Sequence, residues 1–460
     1  MKKPLSLLSV SLVVSLLITL FSLPVPALAD DELTAPATDF GTTSPYNGSG
    51  YDDTGIDAMV DVTIGDKILV VATYEVKQTA QSTDAFHRIA LHLDEESTNS
   101  GEFRRELSAN KADDRGIGSI VHIFTAGSTG ELTYKLQHHS SGKNIITTGT
   151  IVAVPLSTGA GTLRSEEMQV TEPVAVNATG TWLPVTGSNS TTGIETRMAS
   201  HLYVAACIES VKPLGGDETG MWRLQYQKDG GDWTGLGYPV SRYLSSGDIG
   251  MISLVGLLQN QEAATYKFRL CHQSTGTNLE TTVANIVSIG LEDGVGYLDT
   301  TQGYTEGPTT TSNDTLASVA TTGITPYVTT QMFVHAQYEM FATPEILDPE
   351  YNVSVNGSKL ASQVQQRYIS GAGDLGSGAS VGLTTDLTQN TLYTLDLNHA
   401  SDGSNTLSTS DAYVVGIMLG YATAQPPVPE WPTIILVSVG MAAIVLYAWF
   451  RRPKTAAQSA

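Results

Sequence analysis

The sequence predicts an all-β protein: three tandem antiparallel β-sandwich modules between an N-terminal signal helix and a C-terminal transmembrane helix. Three observations carry that prediction. Val, Ile, Leu and Tyr fall in short runs broken by Gly-, Ser- and Thr-rich turns, with no useful stretch of helical periodicity between the two ends. The pattern H-x-S-x-G-x-N occurs at His138 to Asn144, His272 to Asn278 and His399 to Asn405, and the histidines stand 134 and 127 residues apart. That interval is a whole domain rather than a solenoid rung. Both extremities carry long apolar runs.

Further landmarks recur in the same order. Thr54-Gly55-Ile56, Thr192-Gly193-Ile194 and Thr322-Gly323-Ile324 open the modules, and V-x-A-x-[YI]-E follows at Val70 to Glu75, Val204 to Glu209 and Val334 to Glu339. Arg105, Arg242 and Arg367 come next, then D-x-G at Asp114, Asp248 and Asp374. The modules are placed at residues 30–160, 161–296 and 297–424, each close to the usual domain size.

At the N-terminus, Lys2 and Lys3 precede an apolar run from Leu5 to Leu23, and Ala27-Leu28-Ala29 supplies small residues for a signal peptidase. Residues 1–29 therefore read as a cleaved secretory signal. At the other end, residues 433–450 hold no charge, and as a helix they match the hydrocarbon thickness of a bilayer. Arg451, Arg452 and Lys454 in the tail 451–460 favour the cytoplasmic side, so the modules are expected outside, on the cell surface. The Pro-rich spacer 425–432 is extended and stiff, with Trp431 at headgroup level.

The tail around Pro429, Glu430, Trp431 and Pro432, with its apolar helix and basic end, resembles the tripartite PEF-CTERM and PEP-CTERM sorting signals of prokaryotic envelope proteins. It carries Trp431 where the PEF type has phenylalanine. The resemblance implies a sortase-like processing enzyme as a partner, with the helix temporary and the mature chain covalently anchored. Without processing, the chain is a single-pass membrane protein with a cytoplasmic C-terminus.

The net charge of −22 repels phosphate backbones and excludes nucleic acid as a partner. Six N-x-[ST] sequons, at Asn47, Asn177, Asn189, Asn313, Asn352 and Asn356, are candidate glycosylation sites on an exported chain.

Within each module, Val70, Ala72 and Tyr74 alternate with Val71, Thr73 and Glu75, and the later modules repeat an apolar face against a variable one. The expectation is a half-buried strand with its variable face outward. A closing hairpin follows, with Leu136, Leu270 and Leu397 pointing inward. This strand order resembles the jelly rolls of the tumour-necrosis-factor and complement-head class. Because that class forms trimers, the resemblance allows an internal pseudo-trimer, with beads on a string as the other arrangement. Joints near 157–167 and 292–312 permit both.

His138, His272 and His399 share parity with the inward leucines, so each reads as a hydrogen-bonded cap on its turn rather than a metal ligand. Arg105, Arg242 and Arg367 are expected to pair with Glu75, Glu209 and Glu339 within their modules. Gly371 to Gly376 matches G-x-G-x-x-G and Gly378 to Gly382 matches the nucleophile elbow, yet neither sits in a βαβ or strand-to-helix context. No catalytic, cofactor or metal site is assigned, and acidic turns at Asp94-Glu95-Glu96 and Asp229 with Asp232 read as solvated. Cys207 and Cys271 allow one disulfide if their strands are neighbours in a sheet. In the jelly roll the two strands lie in opposite sheets, and the resemblance implies free thiols.

The expected function is a non-enzymatic, cell-surface structural or adhesive protein that meets envelope glycans or proteins. The alternative is a carbohydrate-binding module array, motivated by Trp222, Trp233 and Tyr238 as exposed aromatics.

Overall fold

The computed structural model describes residues 35–47, 50–79, 85–94, 99–107, 115–140, 145–158, 161–170, 172–176, 180–185, 192–195, 200–213, 215–292, 297–311, 317–326, 329–343, 349–360, 365–366, 375–401 and 406–420. The described residues, between 35 and 420, belong to one compact unit. The signal segment, the spacer with the sorting motif at Pro429 to Pro432, the apolar run 433–450 and the basic tail lie outside the described residues. Among the described residues no helix is long and apolar enough to cross a membrane.

Among the described residues the first module has eight strands: β1 (Ala37–Thr42), β2 (Asp52–Val62), β3 (Lys67–Gln78), β4 (Ala85–Leu93), β5 (Asn99–Leu107), β6 (Arg115–Thr125), β7 (Gly130–Ser140) and β8 (Ile145–Pro155). They pair antiparallel in the orders β1-β8-β3-β6 and β2-β7-β4-β5. Consecutive strands thus cross repeatedly between two sheets, which is the jelly-roll arrangement.

The second module repeats this topology. Ser165–Val170, Leu279–Glu292, Ser200–Val211 and Ile249–Gln261 form one sheet, and Leu183–Pro184, Thr265–Ser274, Glu218–Lys228 and Thr234–Leu244 the other. In the third module the first sheet runs Tyr297–Thr311, Thr406–Leu419, Met332–Thr343, Leu375–Leu383, and the second runs Ala317–Ile324, Tyr393–Ala400, Glu350–Val355, Ser358–Lys359. The last pair is closed by Asn356-Gly357, with φ of 49° and 75°. Two positive φ angles in a row are what a two-residue type I′ hairpin demands, and Asn-Gly meets that demand with least strain. The segment read as a joint at 292–312 includes the opening strand of the third module, Tyr297–Thr311, paired along Thr406–Leu419.

The two sheets of a module differ in burial. From Leu132 onward β7 alternates between buried and part-exposed positions, as a strand with one solvated face should. By contrast β3 is buried at nearly every position. The expectation of a half-buried strand is therefore corrected: its inner face packs in its own sandwich, and its variable face packs against the other modules. Leu69, Val71, Tyr203, Ala205, Phe333 and Val415, from all three modules, belong to one hydrophobic cluster.

Candidate functional site

The same cross-strand pair from each module meets at a common centre. Leu69 stands opposite Val154, Tyr203 opposite Ile289, and Phe333 opposite Ile417. All six side chains line one cavity, together with Leu156, Leu291 and Leu419, each two residues after its module's closing-strand member of the pair, and with Leu163. The lining is wholly apolar, which keeps such a space dry.

Around this centre the variable residues are the contacts between modules. Cys207 Sγ accepts from the Val121 amide at 3.3 Å, and Gln337 Oε1 accepts from the Val255 amide. Cys207 and Gln337 occupy matching positions of their modules, as do Val121 and Val255, so one inter-module contact is made twice with different chemistry. Tyr203 Oη lies 2.7 Å from His335 Nδ1 across the second and third modules, and burial pushes that imidazole down to about 3, keeping it neutral. Glu167 of the second module takes His122 at 2.6 Å and the Asn285 amide at 3.0 Å. Glu339 accepts from the Ser241 amide in the second module and from the Ser410 hydroxyl at 2.6 Å. Leu375–Leu383 of the third module packs against β3, β6 and β8 of the first.

The repeated histidines form one clamp three times over. His138, His272 and His399 place Nδ1 at 2.8, 2.8 and 2.7 Å from the hydroxyls of Thr147, Thr281 and Thr409. Each bond ties the second sheet to the closing strand of the first. Burial pushes all three imidazoles down to about 4, so they are neutral and suited to a shared hydrogen bond. The threonines escaped sequence reading, although nine or ten residues downstream of each histidine a threonine always stands.

In the second module the rest of the repeated turn has a visible purpose. Glu218 accepts from the Ser274 hydroxyl at 2.8 Å and the Asn278 amide at 3.1 Å, and its other partner is buried Lys212 at 3.2 Å. A Cβ on Gly276 would stand 2.3 Å from the Glu218 carboxyl carbon, so the glycine is required by close approach. Burial acts to raise the Glu218 carboxyl, but Ser274, Lys212 and Asn278 together hold it below its ordinary value.

The described residues place several of the expected sites. Glu75 is met by Arg115 at 2.6 Å, from neighbouring β6, which pairs with β3; the side chain of Arg105, within Asn99–Leu107, lies outside the described residues. Arg242 donates to the Met251 carbonyl at 2.8 Å, and Glu209 accepts from the Thr282 hydroxyl at 2.7 Å. Arg367 lies outside the described residues. Cys207 and Cys271 sit in opposite sheets, buried and free, so the disulfide is not formed. Asn352 is 2% exposed within Glu350–Val355 and has no room for a glycan, whereas Asn47 and Asn356 are exposed. Asn177, Asn189 and Asn313 lie outside the described residues. Asp94 is paired with Lys135 at 2.9 Å, and Asp229 caps a hairpin by accepting from the Thr265 amide at 2.9 Å. Ser380 lies in an antiparallel strand opposite Ala336 rather than on an elbow.

The three aromatics considered for sugar binding are dispersed. Trp222 is fully buried and donates through Nε1 to Thr281 at 3.0 Å, beside the His272 clamp. Tyr238 faces Tyr304 and Tyr413 of the third module. Only Trp233 remains at the surface, partly exposed beneath Arg269, whose guanidinium carbon is 4.0 Å from the ring centre. On the same outer face Arg223 lies 4.2 Å above Trp182, a pairing that sequence reading missed.

No protein-family model matches the chain, and no curated protein matches it. Among solved structures, the chain is similar to the CBM22-1–CBM22-2 tandem domain of Paenibacillus barcinonensis Xyn10C, at 10% identity over 58% of this chain and 99% of that one, with a TM-score of 0.17. It is also similar to the triple jelly-roll turret protein of an archaeal virus, at 9% identity over 84% and 91% of the two chains, with a TM-score of 0.17. A third is the VP2 subviral particle protein of infectious bursal disease virus, at 6% identity, 89% of each chain and a TM-score of 0.21. Scores this low carry no argument about function.

Proposed function

We propose that this chain is a non-enzymatic structural or adhesive protein of the cell surface, whose three jelly rolls act as one rigid head held out by the C-terminal segment. The observation that carries this reading is the common centre: three matching pairs, Leu69 with Val154, Tyr203 with Ile289 and Phe333 with Ile417, close on one apolar space. Burying a Tyr or Phe there stabilises by roughly 1.5–3 kcal/mol each. The shared burial makes the modules a unit, an internal pseudo-trimer that needs no partner chain. A stiff head of this kind suits display and load-bearing, where modules joined by loose linkers would yield. The signal-like start and the apolar, basic end supply export and anchoring.

A repeated sugar site would need matching aromatics in every module, and Trp222 and Tyr238 are already consumed by the core and by an inter-module contact. That disfavours the array form of carbohydrate binding. Labelling intact cells with a membrane-impermeant reagent should modify this chain, and mass spectrometry of its native C-terminus should end near Pro429. Absence of surface label would refute the display role. An intact Ala460 would instead refute processing and leave a single-span anchor.

A further inference from the structure

We propose that the outer face of the second module's second sheet binds an acidic saccharide, its carboxylate between Arg223 and Arg269 and its sugar rings against the flanking indoles of Trp182 and Trp233. This inference goes beyond the display role and stands independently of where the chain is anchored.

The face is built by register. Glu218–Lys228 pairs with Thr265–Ser274 so that Arg223 lies opposite Cys271 and Gln225 opposite Arg269, which puts the two arginines diagonally on adjacent strands. Trp182 lies just before Leu183–Pro184 and Trp233 just before Thr234–Leu244, at the two outer strands of the same sheet. Each guanidinium stacks on one indole, at 4.2 and 4.0 Å. Beneath them Gln225, 3% exposed, accepts from Arg269 Nε at 2.9 Å and from the Cys271 thiol at 3.1 Å. Arg269 is thus aimed by a buried side chain.

The charges have nothing to answer them. Among the described residues neither arginine has a carboxylate partner, and the Nε of Arg223 is buried with no hydrogen-bond partner. Burial holds Arg223 below its ordinary value, and the nearby charge of Arg269 acts in the same direction. A chain of net charge −22 with acidic residues to spare nevertheless leaves this one face cationic. The sibling modules solve the same position differently. Three residues before the repeated histidine stand Lys135, Arg269 and Asp396. Lys135 is neutralised by Asp94 at 2.9 Å and Asp53 at 3.3 Å, and Asp396 is itself acidic. Only in the second module is the cation left for an external anion.

The occupant's chemistry follows from the surface. Planar guanidinium forks match carboxylates, and partly exposed indoles match the apolar faces of pyranose rings. The strongly negative chain repels densely charged polyphosphates, while a uronate polymer spaces its charges with sugar rings that the indoles can hold.

The test titrates purified full chain in detergent, following tryptophan fluorescence, with an oligogalacturonate, its methyl-esterified neutral form, and an oligoglutamate of equal charge. The oligogalacturonate should bind at least about tenfold tighter than either control, with affinity falling as salt rises. Arg223→Gln and Arg269→Gln should each weaken it about tenfold or more, since each removes a charge-assisted bond. Trp233→Ala, at a part-exposed position, should weaken it without changing thermal stability, and so serves if an arginine variant misfolds. Equal binding of the ester, equal binding of oligoglutamate, no binding at all, or indifference to these substitutions would each overturn the proposal.

Discussion

Ser119 and Ser253 meet hydroxyl to hydroxyl at 2.6 Å across the boundary between the first and second modules. They are the same position of two copies: Ser119 pairs with Thr73 along its sheet and Ser253 with Cys207. The third copy carries Ala379, paired with Gln337 and equally buried. Replacing either serine by alanine strands the other hydroxyl in a dry interface and should cost about 1–3 kcal/mol. Replacing both should be close to neutral, because no polar group is then left unpaired. Denaturant midpoints of the two single variants and the double variant measure this, and additive losses would contradict it.

The three clamps predict an acid response. In the folded chain His138, His272 and His399 are held down to about 4, while in the unfolded chain they protonate near 6.5. Between those values the unfolded state binds more protons, so stability falls as the pH drops from about 6.5 to about 4. The slope is at most about 1.4 kcal/mol per pH unit for each histidine, and their contribution levels off below about 4. Unfolding curves at pH 7, 5.5 and 4 should show this. A variant with all three histidines changed to glutamine should have a shallower pH slope, whatever its absolute stability.

Size complementarity around one core tyrosine offers a sharper test of packing. A Cβ at Gly118 would stand 2.6 Å from the Tyr74 hydroxyl, and one at Gly378 would stand 2.5 Å from that of Tyr338. The second module fills the same cross-strand pair with Ile208 and Ile252. Gly118→Ala should therefore cost about 1–3 kcal/mol through overpacking. Adding Tyr74→Ile should return a large part of that loss, as read from melting temperatures of the single and double variants.

Thiol chemistry follows from topology. With Cys207 and Cys271 in opposite sheets and both fully buried, the native chain should take no alkylating label and the denatured chain two, without prior reduction. Burial also pushes the Cys207 thiol up to about 12, which removes its reactive thiolate. Intact-mass measurement before and after denaturant decides the matter. A denatured chain that needs a reductant before labelling would reveal a bond and contradict the strand order.

How far the sequence could be read depended on whether a residue's role is local. Alternation along β7 and the Asn356-Gly357 turn report local geometry, and the jelly-roll strand order followed from such runs. His138, His272 and His399 were legible as structural because they share parity with inward leucines, but their partners were not, since Thr147, Thr281 and Thr409 are reached only across the sandwich. Recurrence points to Arg105 for Glu75 but gives no sign of Arg115, which reaches Glu75 through the pairing of β3 with β6. Trp222 looked like a surface aromatic because its strand could not be assigned a face without its neighbours, and its burial beside His272 settled that face.

By itself, the sequence determined that there are three copies of one β-sandwich, because a recurring order of strand and turn residues survives without knowledge of contacts. Only the tertiary structure decided that the variable face of Lys67–Gln78 and its two counterparts is an interface. Contacts between modules join unlike residues such as Cys207 with Val121 and Gln337 with Val255, so they impose no common pattern on the copies. The unanswered charge of Arg223 and Arg269 became visible for the same reason: a missing partner is a property of the neighbourhood, which the linear chain does not contain.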